Sequence, residues 1–233
     1  MNEQAPILSL NGVRFQWPGR APFALSIPEF EVTVGETVLL LGESGAGKST
    51  LLSLICGTVV PQAGTITVAG TDLTRLSGAG RDRLRAEQIG VIFQQFNLLP
   101  FGSVMDNILL PLRFARERRK RAAPLQDEAR RLCQALRLPE DLLSARAAAL
   151  SVGQQQRVTV ARALIGSPPL VVADEPTSSL DATSQNAFLD LLFGQVADNG
   201  ASLLMVSHDP RLAERFDRVV QLSDIADIER QAA

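Results

Sequence analysis

Apolar and polar positions alternate along ILSLNGVRFQW (7–17) and LSIPEFEVTV (25–34), the two-residue period of strands with one exposed face. TVLLLG (37–42) breaks the alternation with a continuous apolar run, as a strand buried on both faces requires. KSTLLSLIC (48–56) then predicts a buried helix closed by Gly57. GTITVAG (64–70) predicts a strand between glycines, and IGVIF (89–93) a second apolar one. From about 103 to 165 the period lengthens: SVMDNILLPLRFA, DEARRLCQALRL and QQQRVTVARALI predict helices with no strand among them. Apolar strands return at LVVADE (170–175) and SLLMVS (202–207), with a helix over 183–198 between them. Apolar strands alternating with helices define an α/β fold: a parallel sheet, an N-terminal antiparallel β part and a helical insertion.

Composition narrows the picture. A chain of 233 residues, 45% hydrophobic, supports one large domain or one domain with an inserted subdomain. The net charge of −2 offers no general basicity for nucleic acid. Cys56 and Cys133 lie far apart with no CxxC and a single histidine, which suits a reducing compartment and argues against zinc. MNEQAPILSL lacks the basic start and apolar run of a signal peptide, and the longest apolar stretch, 51–60, is about half a membrane span. The expectation is a cytosolic protein that reaches a membrane only through a partner. Lysine occurs only at 48 and 120, histidine only at 208 and tryptophan only at 17, and tyrosine is absent. RERRKR (116–121) is the one dense charge cluster, either a solvated helix face or a surface near anionic lipid.

Candidate chemistry concentrates at the ends of the apolar strands. GESGAGKST (Gly42, Glu43, Ser44, Gly45, Ala46, Gly47, Lys48, Ser49, Thr50) follows a buried strand and opens a helix, matching G-x-x-x-x-G-K-[ST]. Its glycines let backbone N–H groups wrap phosphates while Lys48 reaches the outer ones, and the Ser49 hydroxyl suits Mg²⁺. LVVADEP ends a strand with two carboxylates: Asp174 for Mg²⁺, and Glu175 to orient or deprotonate an attacking water. His208 closes the SLLMVS strand as a candidate γ-phosphate ligand, and Gln94 follows IGVIF with an amide for Mg²⁺ and the attacking water. SVGQ (151–154) heads a further helix, whose unpaired N–H groups suit either a serine cap or an anion.

In this order GESGAGKST, the glutamine of VIFQQ, LSVGQQQRV, LVVADEP, SSLD (178–181) and SHD resemble the ATP-binding subunits of ABC transporters over about residues 7–222. The resemblance implies a P-loop NTPase core in a single nucleotide-binding domain, with a helical subdomain at about 95–165 and a short tail at 223–233. It implies ATP and Mg²⁺ as cofactors, ATP hydrolysis, and a head-to-tail homodimer. In that dimer Ser151 and Gly153 serve the nucleotide held by the partner's Lys48, and Gln154 and Asp181 also belong to the nucleotide-binding set. Trp17 is the best match for the ring that stacks on adenine, with Phe15 second. The permease is then a separate integral membrane protein, and the chain sits on the cytoplasmic face of the plasma membrane. VIFQQFNLLPFGSVMDNILLPL resembles the subgroup serving lipoprotein release, macrolide-type export and heterocyst glycolipid export. Alternatives are a cell-division-type signalling module and an importer ATPase. One departure stands out: Val152 replaces the usual glycine of LSGGQ, where valine resists φ > 0 and adds bulk.

Overall fold

The structure, a computed structural model, describes residues 5–17, 23–178 and 180–230. Pro18 and Gly19 of FQWPG, Ser179 of SSLD, the first four residues and tail residues 231–233 lie outside them. In chain order the described elements are β1 (Leu8–Gln16), β2 (Phe23–Val32), β3 (Thr37–Leu41), α1 (Lys48–Ile55), β4 (Ala63–Val68), β5 (Thr71–Asp72) and α2 (Gly78–Gln88). There follow β6 (Ile89–Ile92), α3 (Val104–Leu109), α4 (Arg116–Arg121), α5 (Leu125–Ala135), α6 (Val152–Leu164), β7 (Leu170–Asp174) and α7 (Ala182–Asp198). The last elements are β8 (Ser202–Ser207), β9 (Arg218–Gln221), α8 (Leu222–Ile225) and β10 (Asp227–Arg230). The chain divides into two compact units, Met1–Arg85 with Ser202–Ala233, and Ala86–Ala201.

The first unit holds two sheets. One is antiparallel in the order β10-β2-β1-β4-β5. Leu8 faces Val32 and Phe15 faces Leu25, so the alternation read from the sequence buries Leu10, Val13, Ile27 and Phe30 and leaves Arg14, Glu29 and Glu31 exposed. In the other, β3 pairs in parallel with β8 on one side and β9 on the other. Val38, Leu39 and Leu40 are fully buried, each contributing about 1.5–3 kcal/mol. The structure adds elements to the expected pattern, β10 and α2 among them. The segment expected as a tail supplies β10, which pairs with β2 from Asp227–Ser26 to Arg230–Phe23. Helix α2 also went unread, because GAGRDRLRAEQ carries a single large apolar residue, Leu84.

The second unit pairs β6 with β7 in parallel, Ile92 opposite Ala173. The expected helical segment 95–165 lies within it, and its described residues form helices and 3-10 turns with no strand. SVMDNILLPLRFA is not one helix: α3 stops at Leu109 and a 3-10 turn (Leu110–Arg113) takes over at Pro111, which lacks the N–H that an α-helix needs. The unit is organised around α6, which contacts α3, α5, α7 and β6 and buries Val158, Val160, Ala161 and Leu164. Among the described residues no helix is long and apolar enough to cross a membrane.

Candidate nucleotide site

The first unit carries the phosphate-loop residues. After β3 the chain turns sharply: the Gly42 N–H donates to the Ser207 carbonyl (3.2 Å) and the Ala46 N–H to the Glu43 carbonyl (3.1 Å). Gly45 (φ 77°) and Gly47 (φ 94°) are left-handed, a conformation that costs an L side chain about 1–2 kcal/mol. Glycine at 47 is required twice over, because a Cβ there would meet the Phe23 ring at 2.8 Å. Lys48 opens α1 and is 5% exposed, its Nζ donating to the carbonyls of Gly42 (2.6 Å) and Glu43 (3.0 Å). The ammonium thus lies over the loop, while Glu43, Ser44 and Ser49 stay exposed at its rim. Leu41 pairs with Ser207, so Gly42 and His208 leave adjacent parallel strands at the same carboxyl end, and His208 is exposed there. Trp17, 40% exposed, donates from its indole Nε1 to the Thr50 hydroxyl at 3.1 Å, and Phe15 packs edge-on against it.

The second unit carries the other set. The pairing of Ile92 with Ala173 brings Gln94 and the Asp174–Glu175 pair to one carboxyl end of β6 and β7, with Gln94 exposed and both carboxylates half-buried. Glu175 has φ 41°, left-handed for a residue that is not glycine. The following proline already disfavours the right-handed α region at 175. The loop after it is held by side chains. The buried Gln156 amide of α6 donates to the Pro176 carbonyl, and Gln185 of α7 donates to the Thr177 hydroxyl (3.1 Å). Asp181 caps α7, its carboxylate accepting the Ser184 N–H (2.9 Å) and hydroxyl (2.7 Å). These bonds from Ser184 hold its pKa below the ordinary value.

Helix α6 begins at Val152, with Ser151 as its N-cap. Ser151 Oγ accepts the Gln154 N–H (3.3 Å), and the Gln154 side chain accepts the Ser151 N–H (2.9 Å), a reciprocal capping box. Val152 is therefore a helical residue without positive φ, its side chain half exposed. The backbone objection to valine falls away; only its bulk remains. Gly153 faces open space.

Sequence reading missed Arg162. On α6 and 7% exposed, it donates to the carbonyls of Asn97 and Phe96, both at 2.6 Å. Burial lowers its pKa below the ordinary guanidinium value. Helix α6 thus ties down two loops, the one after Gln94 through Arg162 and the one after Glu175 through Gln156. The available signal was a polar residue inside the apolar stretch VTVARAL.

A strand–glycine loop–helix with a buried lysine at the helix head defines a phosphate-binding protein of the P-loop NTPase class. Residues 25–178 match the family described as ABC transporter. The chain is 40% identical over 222 residues to the lipoprotein-releasing system ATP-binding protein LolD of Anaeromyxobacter dehalogenans, across 94% of this chain and 91% of that protein. It is equally 40% identical to the uncharacterized ABC transporter ATP-binding protein YbbA of Escherichia coli K12, across 83% of each. Among solved structures, the dimeric post-hydrolysis state of the ATP-binding cassette MJ0796, bound to ADP and Pi, superposes with a TM-score of 0.76 at 30% identity. It covers 97% of this chain and 99% of that one. The chain belongs to the ABC transporter family, as an ATP-binding and ATP-hydrolysing subunit.

Proposed function

We propose that two copies of this chain hold MgATP between them and use its hydrolysis to drive a separate membrane permease that exports or extrudes a lipid or lipoprotein. The observation that carries this reading is the 42–50 loop, with left-handed Gly45 and Gly47 and Lys48 folded over its carbonyls at the head of α1. Such a loop turns successive N–H groups toward phosphate oxygens, and lysine adds the charge for the outer phosphates. Gly42 to Thr50 bind the phosphates, and Trp17 stacks on the adenine. Ser49, Gln94 and Asp174 offer hydroxyl, amide and carboxylate oxygens, the hard donors Mg²⁺ prefers. When bound, the ion neutralises charge on the transferring phosphoryl group. Glu175 positions and deprotonates the attacking water, Gln94 orients it, and His208 hydrogen-bonds the γ-phosphate. Ser151, Gly153, Gln154 and Asp181 serve the nucleotide of the second copy. With one lone pair accepting the Gln154 N–H, the Ser151 hydroxyl still has its hydrogen to donate to a phosphate oxygen.

The permease binds beside the Gln94 loop and brings the chain to the cytoplasmic face of the plasma membrane. Phe93 and Leu99 are half exposed there and Phe101 is 90% exposed, next to a groove of about 270 Å³ lined by Gln95, Phe96, Leu98, Pro100, Ala148 and Gln155. Exposed rings at this density mark a protein contact. The similarity to lipoprotein-releasing relatives favours export over import.

The test is Glu175→Gln. ATP binding is expected to be unchanged, hydrolysis to fall at least about hundredfold, the scale of a lost general base, and MgATP to produce a stable dimer in size-exclusion chromatography. Wild-type turnover in the variant overturns the assignment of Glu175. Copurification with a solute-binding protein and its permease, in place of a permease with a large extracytoplasmic domain, overturns the export reading.

A further inference from the structure

We propose that the corner from Arg113 to Arg121 docks on anionic lipid headgroups of the membrane that holds the permease; this rests on the function proposed above. The nine residues contain six cations and one acid, in a chain whose net charge is −2. Charge is therefore strongly segregated, and the fold holds this segment rigidly. Arg118 is 1% exposed and donates to the carbonyls of Ala86 (3.0 Å), Ile89 (3.3 Å), Ala163 (2.9 Å) and Ile165 (2.6 Å, with a second bond at 3.0 Å). The Glu87 carboxylate accepts the N–H groups of Glu117 (3.1 Å) and Arg118 (3.0 Å), capping α4 from a distant part of the chain. With Arg118 turned inward, Arg113, Arg116, Arg119, Lys120 and Arg121 are left exposed.

Their engagements are slight. Lys120 pairs with exposed Glu117 (2.9 Å) and Arg121 donates to the Gly166 carbonyl (2.9 Å). Arg116 and Arg119 make no ion pair among the described residues. Among these cations Phe114 is 70% exposed. A ring beside a basic cluster fits the boundary between headgroups and acyl chains, where cations meet phosphate and the ring leaves water. A nucleic-acid backbone would use the charges and leave the ring in water. The location agrees: from the apolar rim at Phe101, α3 and its 3-10 turn reach Phe114 within about 17 Å of helix rise.

The experiment is flotation of the full chain with vesicles of phosphatidylcholine alone or with phosphatidylglycerol, at low and high salt. The wild type is expected to float with the phosphatidylglycerol vesicles at low salt, to be released at high salt, and not to float with phosphatidylcholine. Each cation near an anionic surface raises partitioning about fivefold. Arg116→Glu/Arg119→Glu is therefore expected to weaken binding at least about 25-fold. Arg75→Glu/Arg83→Glu, the same charge change on exposed arginines elsewhere, is expected to weaken it less than about twofold. Phe114→Ala is expected to cost a few-fold with unchanged salt dependence. Equal losses in the two double variants, or no flotation of the wild type, overturn the proposal. If the wild type does not float but Arg116→Glu/Arg119→Glu no longer copurifies with its permease, the surface binds acidic protein and the lipid assignment is wrong. ATPase activity, scored separately, is expected to persist in every variant; its absence from the wild type would count against the proposed function instead.

Discussion

The indole of Trp17 and the hydroxyl of Thr50 are joined at 3.1 Å, so the exposed ring ahead of β2 is tied to the first turn of the helix that Lys48 begins. Phe15 fixes the same ring from its edge, with centroids 4.9 Å apart and planes at 89°. Held in this way, the ring is oriented before any ligand arrives.

If Trp17 stacks on adenine, Trp17→Ala weakens ATP binding by about 1–3 kcal/mol. Trp17→Phe keeps a ring but loses the bond to Thr50, and Thr50→Val loses it from the other side. Each is expected to cost about 1 kcal/mol, with no further loss when they are combined. Titration with a fluorescent ATP analogue compares the four variants with the wild type; wild-type affinity in Trp17→Ala removes the ring from the site.

Arg162→Met leaves the carbonyls of Phe96 and Asn97 without their guanidinium partner. Unfolding by urea is expected to show a loss of about 1–3 kcal/mol, with faster hydrogen exchange over residues 94–98. Arg162→Lys, which cannot span both carbonyls in one planar fork, is expected to recover only part of this. Unchanged exchange in Arg162→Met would show that the loop is held by other contacts.

Val152 is helical and half exposed, so at the proposed dimer face only its two methyl groups separate it from a glycine. Val152→Gly is expected to tighten ATP-driven dimerisation modestly, since crowding an interface costs about 1–3 kcal/mol and helix stiffening is worth less. The readout is dimer fraction against ATP concentration in a Glu175→Gln background. Weaker dimerisation would mean that the valine makes a favourable contact across the interface.

Burial pushes the Glu36 carboxyl upward in pKa, but bonds from Arg218 (2.6 Å) and from the Thr33 N–H (2.8 Å) and hydroxyl (3.0 Å) outweigh it, and the net shift is below the ordinary 4.5. A depressed carboxylate contributes stability that is complete above its unfolded pKa and is lost as pH falls through the folded one. Glu36→Gln is expected to be less stable than the wild type at neutral pH and to lose less on acidification below 4.5. Parallel stability curves for the two proteins would show that Glu36 titrates alike in both states.

The strands that were easiest to read are those buried on both faces. SLLMVS is β8 residue for residue, because six consecutive buried positions leave no polar interruption to blur its ends. β9 was invisible for the opposite reason. RVVQ alternates half-buried and exposed positions over four residues, too few for a period, and its pairing with β3 depends on residues 180 positions away. The phosphate loop was legible because backbone demand fixes its glycines at set spacings. Arg162 and Gln156 were not, since their partners are main-chain carbonyls, which leave no mark on the sequence of the loops they hold.

The left-handed backbone at Glu175 sets folding and use against each other at one position. Glycine would adopt φ 41° without strain, relieving about 1 kcal/mol. It would also remove the carboxylate assigned to the attacking water. A lineage selected for thermal endurance alone would drift toward glycine at 175, and one selected for turnover would keep the strained acid. The strain at Glu175 is what the role proposed for its carboxylate would cost.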